Sequence, residues 1–529
     1  MAQGDGGPVD LFVIGGGVNG CGIARDAAGR GLSVCLAEMG DLASATSSAS
    51  TKLFHGGLRY LDYFEFRLVR EALVERETLL RAMPHISWPM RFVLPYHRDM
   101  RFEAATPAAR LLARAMPWAK GRRPAWLIRL GLGLYDGLAP RRILPGTRSL
   151  DLAQGAEGAA LQPQFRRAFE YSDCWVEDSR LVVLNARDAA ARGATILTRT
   201  RVVSARREDG LWRIETQDTE SGARRIHRAR ALVNAAGPWA GAVIEGVLGR
   251  TTGDRVRLVR GSHIVTRRLF AHDRCYLFQG RDGRVVFAIP YETDFTLIGT
   301  TDIDHPDPDT PPVCTEAERD YLIGFVNRYL RRPVTPGDVV RSFSGLRPLH
   351  DDGAASATAA SRDYTLRLEA EGAPVLHVFG GKITTYRRLA EAALARLSPH
   401  LPGMAGSWTA GVALPGGDFP VDGVAALVAG LRADCPFLTQ AHAVRLVRAY
   451  GTEARALVAG AQAPGDLGRA FGATLTAREV DWLMRREYAR TAEDVIWRRS
   501  KLGLRLTADE VAELERWMAD RRRGVQDAA

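Results

Sequence analysis

At 529 residues, 46% apolar and 25% charged, the chain has the make-up of an ordinary globular protein with room for roughly two to four domains, and no apolar run reaches the roughly eighteen residues of a membrane-spanning helix. Six scattered cysteines (21, 35, 174, 275, 314 and 435) form no CxxC pair, which argues against a zinc site or a redox dithiol and fits a reducing cytosol; the start MAQGDGG lacks the basic segment of a signal peptide. The net charge of +11 is almost wholly arginine, because lysine occurs only at 52, 120, 382 and 501; it reflects either a general arginine bias or attraction to nucleic acid, an anionic membrane or a phosphorylated substrate, and charge alone does not choose.

The β-branched run from Val9 to Ile14 predicts a buried parallel strand. Gly15, Gly17 and Gly20 then complete G-x-G-x-x-G, a helical pattern follows with Ile23 and Ala27 on one face, Gly29 and Gly31 end it, and LSVCLAE gives a second strand closing at Glu38. Each part has a task in dinucleotide binding: Gly15 allows the tight turn, Gly17 lets backbone approach a pyrophosphate, and Gly20 brings the helix close to the strand. The helix start offers unpaired N–H groups to phosphate, and Glu38 can accept hydrogen bonds from the adenosine ribose. The motif alone leaves NAD and FAD open. The long polar loop that follows, DLASATSSASTKLFHGG, favours FAD, since its hydroxyls can donate to phosphate and Gly56-Gly57 can lie against a planar ring.

Downstream, FEFRLVREALVERETLLRAM reads as a helix marked by Leu68, Ala72 and Glu75, with arginine–glutamate pairs on its outer side. DSRLVVLNARDAAARGATILTRTRVVSARR is a helix then a strand, ARALVNAAGPWAGAVI a buried strand ending at Gly237-Pro238-Trp239, and PVLHVFGGKITTYRRLAEAALARL a strand, a glycine turn and a helix. RLVRGSHIVTRR reads as a strand, and GRVVFAIPYETDFTLIGTTD as a hairpin around YETD. From about Leu414 the pattern is helical. The expected fold is α/β: a discontinuous FAD-binding, Rossmann-like domain (8–80, 165–255, 340–395), an antiparallel-sheet substrate or cap domain (81–164, 256–339) and an all-helical C-terminal domain (414–529).

Several of these stretches together resemble one family, the FAD-dependent respiratory sn-glycerol-3-phosphate dehydrogenases: VIGGGVNGCGIARDAAGRGLSV, TSSASTKLFHGGLRYL, FEYSDCWVEDSRLV, GSHIV, IGTTD, SGLRPL, FGGKITTYRRLAE and TAEDVIWRRSKLGL. The resemblance implies oxidation of sn-glycerol 3-phosphate to dihydroxyacetone phosphate, with electrons passed to ubiquinone or menaquinone. It departs in a longer connection before RPAW and in Ala236, where threonine is frequent. It assigns His55, Arg59, Tyr60, His263, Arg347 and Lys382 to the catalytic side. To FAD it assigns Gly15, Gly17, Gly20, Glu38, Thr46, Ser47, Ser48, Lys52, Leu53, His55, Gly56, Val203, Gly237, Trp239, Gly381, Lys382, Ile383 and Thr384; no metal is expected.

Chemistry sharpens some of these roles. Arg59 and Arg347 stand in apolar surroundings and suit a phosphate, Lys382 at a helix start suits negative charge on a reduced flavin, and His55 or His263 can receive the hydroxyl proton. A quinone reductase without a spanning helix must lie on the bilayer, and residues 108–139 combine Leu111, Leu112, Trp118, Trp126, Leu127, Leu130 and Leu134 with arginines, divided by Pro117 and Pro124. The expected location is the inner face of the cell membrane, with an anionic surface as partner, a homodimer as an option and no nucleic acid. The alternatives are an oxidase of the same substrate that uses oxygen, and a basic FAD-containing nucleic-acid-binding or tRNA-modifying protein.

Overall fold

The run Val9–Ile14 forms a strand with Leu11, Phe12 and Val13 wholly buried. The computed structural model describes residues 2–3, 7–98, 100–101, 106–115, 122–250, 256–280, 283–350 and 363–526. From Leu11 onward the strand is wholly apolar because it is central: it pairs in parallel with Val34–Ala37 on one side and Arg224–Asn234 on the other. The sheet runs 365–369, 375–379, 224–234, 9–14, 34–37, 195–197, with strand 211–218 paired to 224–234 and strand 200–208 paired to 211–218. Helix Val18–Gly29 covers one face, burying Ile23, Ala24 and Ala27 between helices Asp178–Ala191 and Tyr386–Leu397. Packing there is tight enough that a Cβ on Gly22 would stand 2.8 Å from the Tyr386 ring. The pieces expected to share one dinucleotide sheet therefore do so, from remote parts of the chain.

The second sheet runs 303–305, 256–267, 295–299, 285–291, 275–279, 87–95, 167–176, 53–54, with 339–350 on the other side of 256–267 and 148–151 on 167–176. It is mixed: Cys275–Gln279 runs parallel to Ser87–Pro95, while its other named pairings are antiparallel. The YETD hairpin is present, closing at Tyr291 opposite Phe295, with Glu292 and Thr293 at positive φ. Strands Leu53–Phe54, Arg167–Val176 and Val339–His350 lie in this sheet, whereas the sequence division grouped them with the dinucleotide unit. Alternation of apolar residues identifies a strand but not the sheet that receives it.

Helices Val424–Asp434, Gln440–Tyr450, Ala477–Arg486 and Ala508–Gln526 enclose a separate core that includes Leu446, Val480, Leu483, Leu514 and Met518. Buried and half-buried ion pairs tie this helical region to the dinucleotide half: Arg499 to Asp41 at 2.8 Å, Arg199 to Asp494 at 2.7 Å, and Arg180 to Glu487. The helix Phe66–Ala82 forms as expected, but its charges do not all face outward. Glu75 bonds Arg387 through both oxygens and Arg76 bonds Asp173 at 2.5 Å, all four side chains being buried. Among the described residues no helix is long and apolar enough to cross a membrane.

Candidate active site

The glycine turn leaves the 9–14 strand with Gly15 at φ +111, and a Cβ there would stand 2.5 Å from the Ala235 carbonyl oxygen. A Cβ on Gly20 would stand 1.9 Å from the Gly15 carbonyl oxygen, so both positions require glycine. Glu38 ends the second strand, and its carboxylate accepts from the Gly16 N–H at 2.6 Å and the Gly40 N–H at 2.8 Å. Burial pushes that carboxyl up, and the two backbone donors act against it. Gly237, at φ +57, begins the turn beyond 224–234; Val203 is half-buried on the 200–208 strand. Trp239 donates to Asp309 at 2.8 Å.

The serine-rich loop crosses from this turn to the second sheet. Ser47 Oγ accepts from the Val18 N–H at the helix start, and Thr46 Oγ1 donates to the Leu346 carbonyl at 2.6 Å. Ser48 gives its carbonyl to Lys52. The Lys52 ammonium is 2.8 Å from Asp178 and buried, so an ion pair within the protein holds it. Leu53 and Phe54 pair with Trp175 and Cys174. The glycines that follow make room for neighbouring side chains, and Gly57 also lines the large cavity. A Cβ on Gly56 would stand 2.4 Å from Leu73 and 2.5 Å from the Tyr135 hydroxyl, and one on Gly57 (φ +75) would stand 2.2 Å from the Tyr60 ring. Gly56-Gly57 thus sets the turn Leu58–Tyr63 that carries Arg59 and Tyr60.

These segments enclose a cavity of about 620 Å³, walled by Thr46, Ser47, Ala49–Leu53, His55, Gly57–Tyr60, His263, Leu346–Leu349 and Gly381–Ile383. The Lys382 ammonium stands 3.6 Å from the centre of the Tyr60 ring, on a loop whose Gly380 carbonyl accepts from Asn19 at the glycine turn. Thr384 is buried behind it and accepts from the His55 N–H at 3.3 Å. His263 is 1% exposed, stacked on Phe343 with ring centres 4.9 Å apart, and bonded through Nε2 to Thr51 Oγ1 at 3.0 Å. Burial first, then Arg347 and Lys52, push its imidazole down to about 3, so it is neutral near pH 7. Arg347 reaches over Gly261, where a Cβ would stand 2.3 Å from its Nη2, and bonds Thr300 Oγ1 at 3.0 Å, the Thr301 carbonyl and Asp302.

Several wall residues escape a sequence reading. Within IGTTD and GSHIV the residue type singles out only His263, although Thr300, Thr301 and Asp302 hold Arg347. Arg123, Arg260 and Arg284 also line the cavity and add positive charge suited to an anionic ligand. Arg123 pairs with Asp62, and Arg260 with Glu318 at 2.9 Å. A second cavity of about 300 Å³ lies across the 44–52 segment, lined by Trp239, Arg341, Trp497 and Lys501 among others; Ser48 lines it rather than the first. The glycine cradle, the Ser47-bonded helix start and the adjoining large cavity fit a flavin dinucleotide.

Comparison with known proteins agrees. Residues 10–387 match the FAD dependent oxidoreductase family, and 407–521 match the C-terminal domain of alpha-glycerophosphate oxidase. The chain is 51% identical to D-erythritol 1-phosphate dehydrogenase of Brucella abortus (strain 2308), over 96% of this chain and 97% of that one. It is 44% identical to the aerobic glycerol-3-phosphate dehydrogenase of Escherichia coli (strain K12), over 97% of each. Among solved structures, the glycerol-3-phosphate dehydrogenase from Bacillus halodurans complexed with FAD superposes with a TM-score of 0.72 at 25% identity, covering 97% of this chain and 90% of that one.

Proposed function

This chain belongs to the family of FAD-dependent glycerol-3-phosphate dehydrogenases, and from that premise we propose that it oxidises sn-glycerol 3-phosphate to dihydroxyacetone phosphate. The observation that carries the reading is the meeting of a dinucleotide turn, Arg59, Arg347, Lys382 and His263 around one cavity. Bound FAD supplies the two-electron acceptor that takes hydride from the carbinol carbon. Gly15, Gly17, Gly20, Glu38 and the 46–48 hydroxyl segment would hold its dinucleotide part. Arg347, its guanidinium oriented by Thr300 and Asp302, and Arg59 clamp the phosphate. Lys382 stabilises negative charge at the ring, and neutral His263 stands as proton acceptor.

Electrons leave, on this reading, to ubiquinone or menaquinone at the inner face of the cell membrane. An exposed apolar face supports it: Trp126 (58% exposed), Leu130 (62%) and Leu134 (45%) repeat at helical spacing on Ala125–Gly137, with Leu111, Phe64 and Phe66 also exposed. The helix Pro107–Ala115 and that of residues 125–137 both pack on the Leu58–Tyr63 turn, so this face adjoins the cavity wall. Trp118 and Pro117 lie outside the described residues, and nothing is described of the Leu112 side chain. Turnover with a quinone analogue in the absence of oxygen separates this reading from an oxygen-using oxidase.

A second substrate has an observation in its favour. The 51% identity to a D-erythritol 1-phosphate dehydrogenase exceeds the 44% to the Escherichia coli enzyme, and the two substrates differ by one CHOH unit. Anaerobic bleaching of the flavin by each polyol phosphate, compared as kcat/KM, decides between them. A yellow protein that neither compound bleaches would defeat both.

A further inference from the structure

We propose that Thr51 is the hydroxyl through which the substrate's proton reaches His263. The inference rests on the polyol-phosphate dehydrogenase reading above and adds a residue that reading does not use. Its starting point is that the proton acceptor is walled in. His263 is 1% exposed; Phe343 stacks on it at 12° between ring planes from one neighbouring strand, and Gly299 faces it from the other, where a Cβ would stand 2.0 Å from Cδ2. Among the described residues Nδ1 has no hydrogen-bond partner, so the Thr51 hydroxyl, 3.0 Å from Nε2, is the ring's link to a polar group. Thr51 itself lines the large cavity and is only half-buried.

The second observation is how firmly Thr51 is presented. Both of its chain neighbours are anchored on the same wholly buried carboxylate: Ser50 Oγ and Lys52 Nζ each donate to Asp178 at 2.8 Å, and the Ser50 N–H adds a third bond at 3.2 Å. Lys52 also donates to the Ser48 carbonyl at 3.0 Å and takes a positive φ of 61°, which turns the chain at this point. Lys501, from the helical region, donates to Ser179 Oγ at 2.8 Å and braces the start of the helix that carries Asp178. A hydroxyl that merely filled a wall would not need an ion pair beneath it to fix its direction. Preorganisation of this kind is what a proton-transfer group requires.

The step balances within groups already named. As the carbinol C–H leaves with its electron pair to the bound flavin, the substrate O–H bond breaks and its proton passes to Thr51 Oγ. The proton that Thr51 carried passes to His263 Nε2, and the substrate C–O bond becomes a carbonyl. A phosphate dianion on Arg347 offsets one of the positive charges that depress His263, raising its affinity for the proton only when substrate is bound.

The test uses the full-length FAD-loaded protein under anaerobic stopped flow. Thr51→Val keeps the shape and removes the hydroxyl; it should slow substrate-driven flavin reduction by about 100-fold or more, the range of a lost acid–base group. Its FAD content, reduction by dithionite and substrate Kd from the flavin absorbance shift should all match wild type. Thr51→Ser should restore the rate to within about threefold of wild type, since it keeps the hydroxyl. Wild type and Thr51→Ser should give a curved proton inventory in mixed H2O and D2O, reporting two protons in flight, and Thr51→Val a linear one. Nitrogen-15 shifts, assigned by comparison with His263→Asn, should place the resting proton of His263 on Nδ1. A Thr51→Val rate within about threefold of wild type, or a resting proton on Nε2, overturns the relay alone. A wild type that no polyol phosphate reduces overturns the functional reading, and the relay with it.

Discussion

Arg347 shows how a residue can be legible in kind but not in company. An arginine inside SGLRPL predicts a buried or bound anion, and the fold supplies Asp302 and Thr300 as well as an open cavity. We expect Arg347→Ala to raise KM for the phosphorylated substrate by about 10- to 100-fold, the value of a charge-assisted bond, with FAD content unchanged; steady-state kinetics and the flavin spectrum check this. His263 carries a stability prediction. Its folded value of about 3 lies below the usual 6.5, so acid protonates the unfolded chain first. Stability that this group leaves intact above about pH 6.5 is lost as pH falls toward 3, about 2 kcal/mol of it by pH 5. Urea unfolding at pH 7 and pH 5 should show a smaller loss for His263→Gln. Lys52, expected on FAD, lines the cavity while its ammonium is held by Asp178, a partner far away in the chain that no local pattern names. The missed Thr51 had a readable signal, a hydroxyl beside that lysine, but nothing local names His263 as its neighbour.

At the scale of elements, the strand–turn–helix from Val9 to Gly29 was readable because its demands are local: positive φ at Gly15 and backbone crowding at Gly20 arise within twelve residues. Gly20→Ala should give a colourless or unstable protein, checked by flavin content and thermal melting, because the added methyl meets the Gly15 carbonyl and has no flexible neighbour to displace. Gly56-Gly57 looks similar in sequence and suggests a bed for a planar ring. Its reasons are tertiary, Tyr135 and Leu73 on one side and Tyr60 on the other. The helix Ala125–Gly137 shows the opposite balance. Its inner stripe, Ile128, Leu132 and Tyr135, is buried, which leaves Trp126, Leu130 and Leu134 outside with no internal reason to be apolar. Replacing these three with glutamate should abolish sedimentation with anionic vesicles while anaerobic flavin reduction by substrate continues; vesicle binding equal to wild type would reject this face as the contact.

For the whole molecule, the helical region is more than an appendage: Arg499, wholly buried, grips Asp41 just beyond the dinucleotide strands, and Lys501 braces the helix behind Thr51. Arg499→Ala leaves Asp41 short of a buried partner, although Arg498 and Arg199 remain near it, and should lower unfolding stability by about 3 kcal/mol in urea titrations. Composition, the glycine turn, the acid at Glu38 and the family motifs by themselves determined the cofactor class, the α/β plan and a helical C-terminal region, since each rests on backbone geometry or periodicity that acts over a few residues. Which sheet receives the 53–54, 167–176 and 339–350 strands, which anion holds Lys52, and which hydroxyl touches His263 were decided only in three dimensions. Those are pairings between groups far apart in the chain, where burial makes every charge and donor find a partner and the sequence carries no local mark of which one.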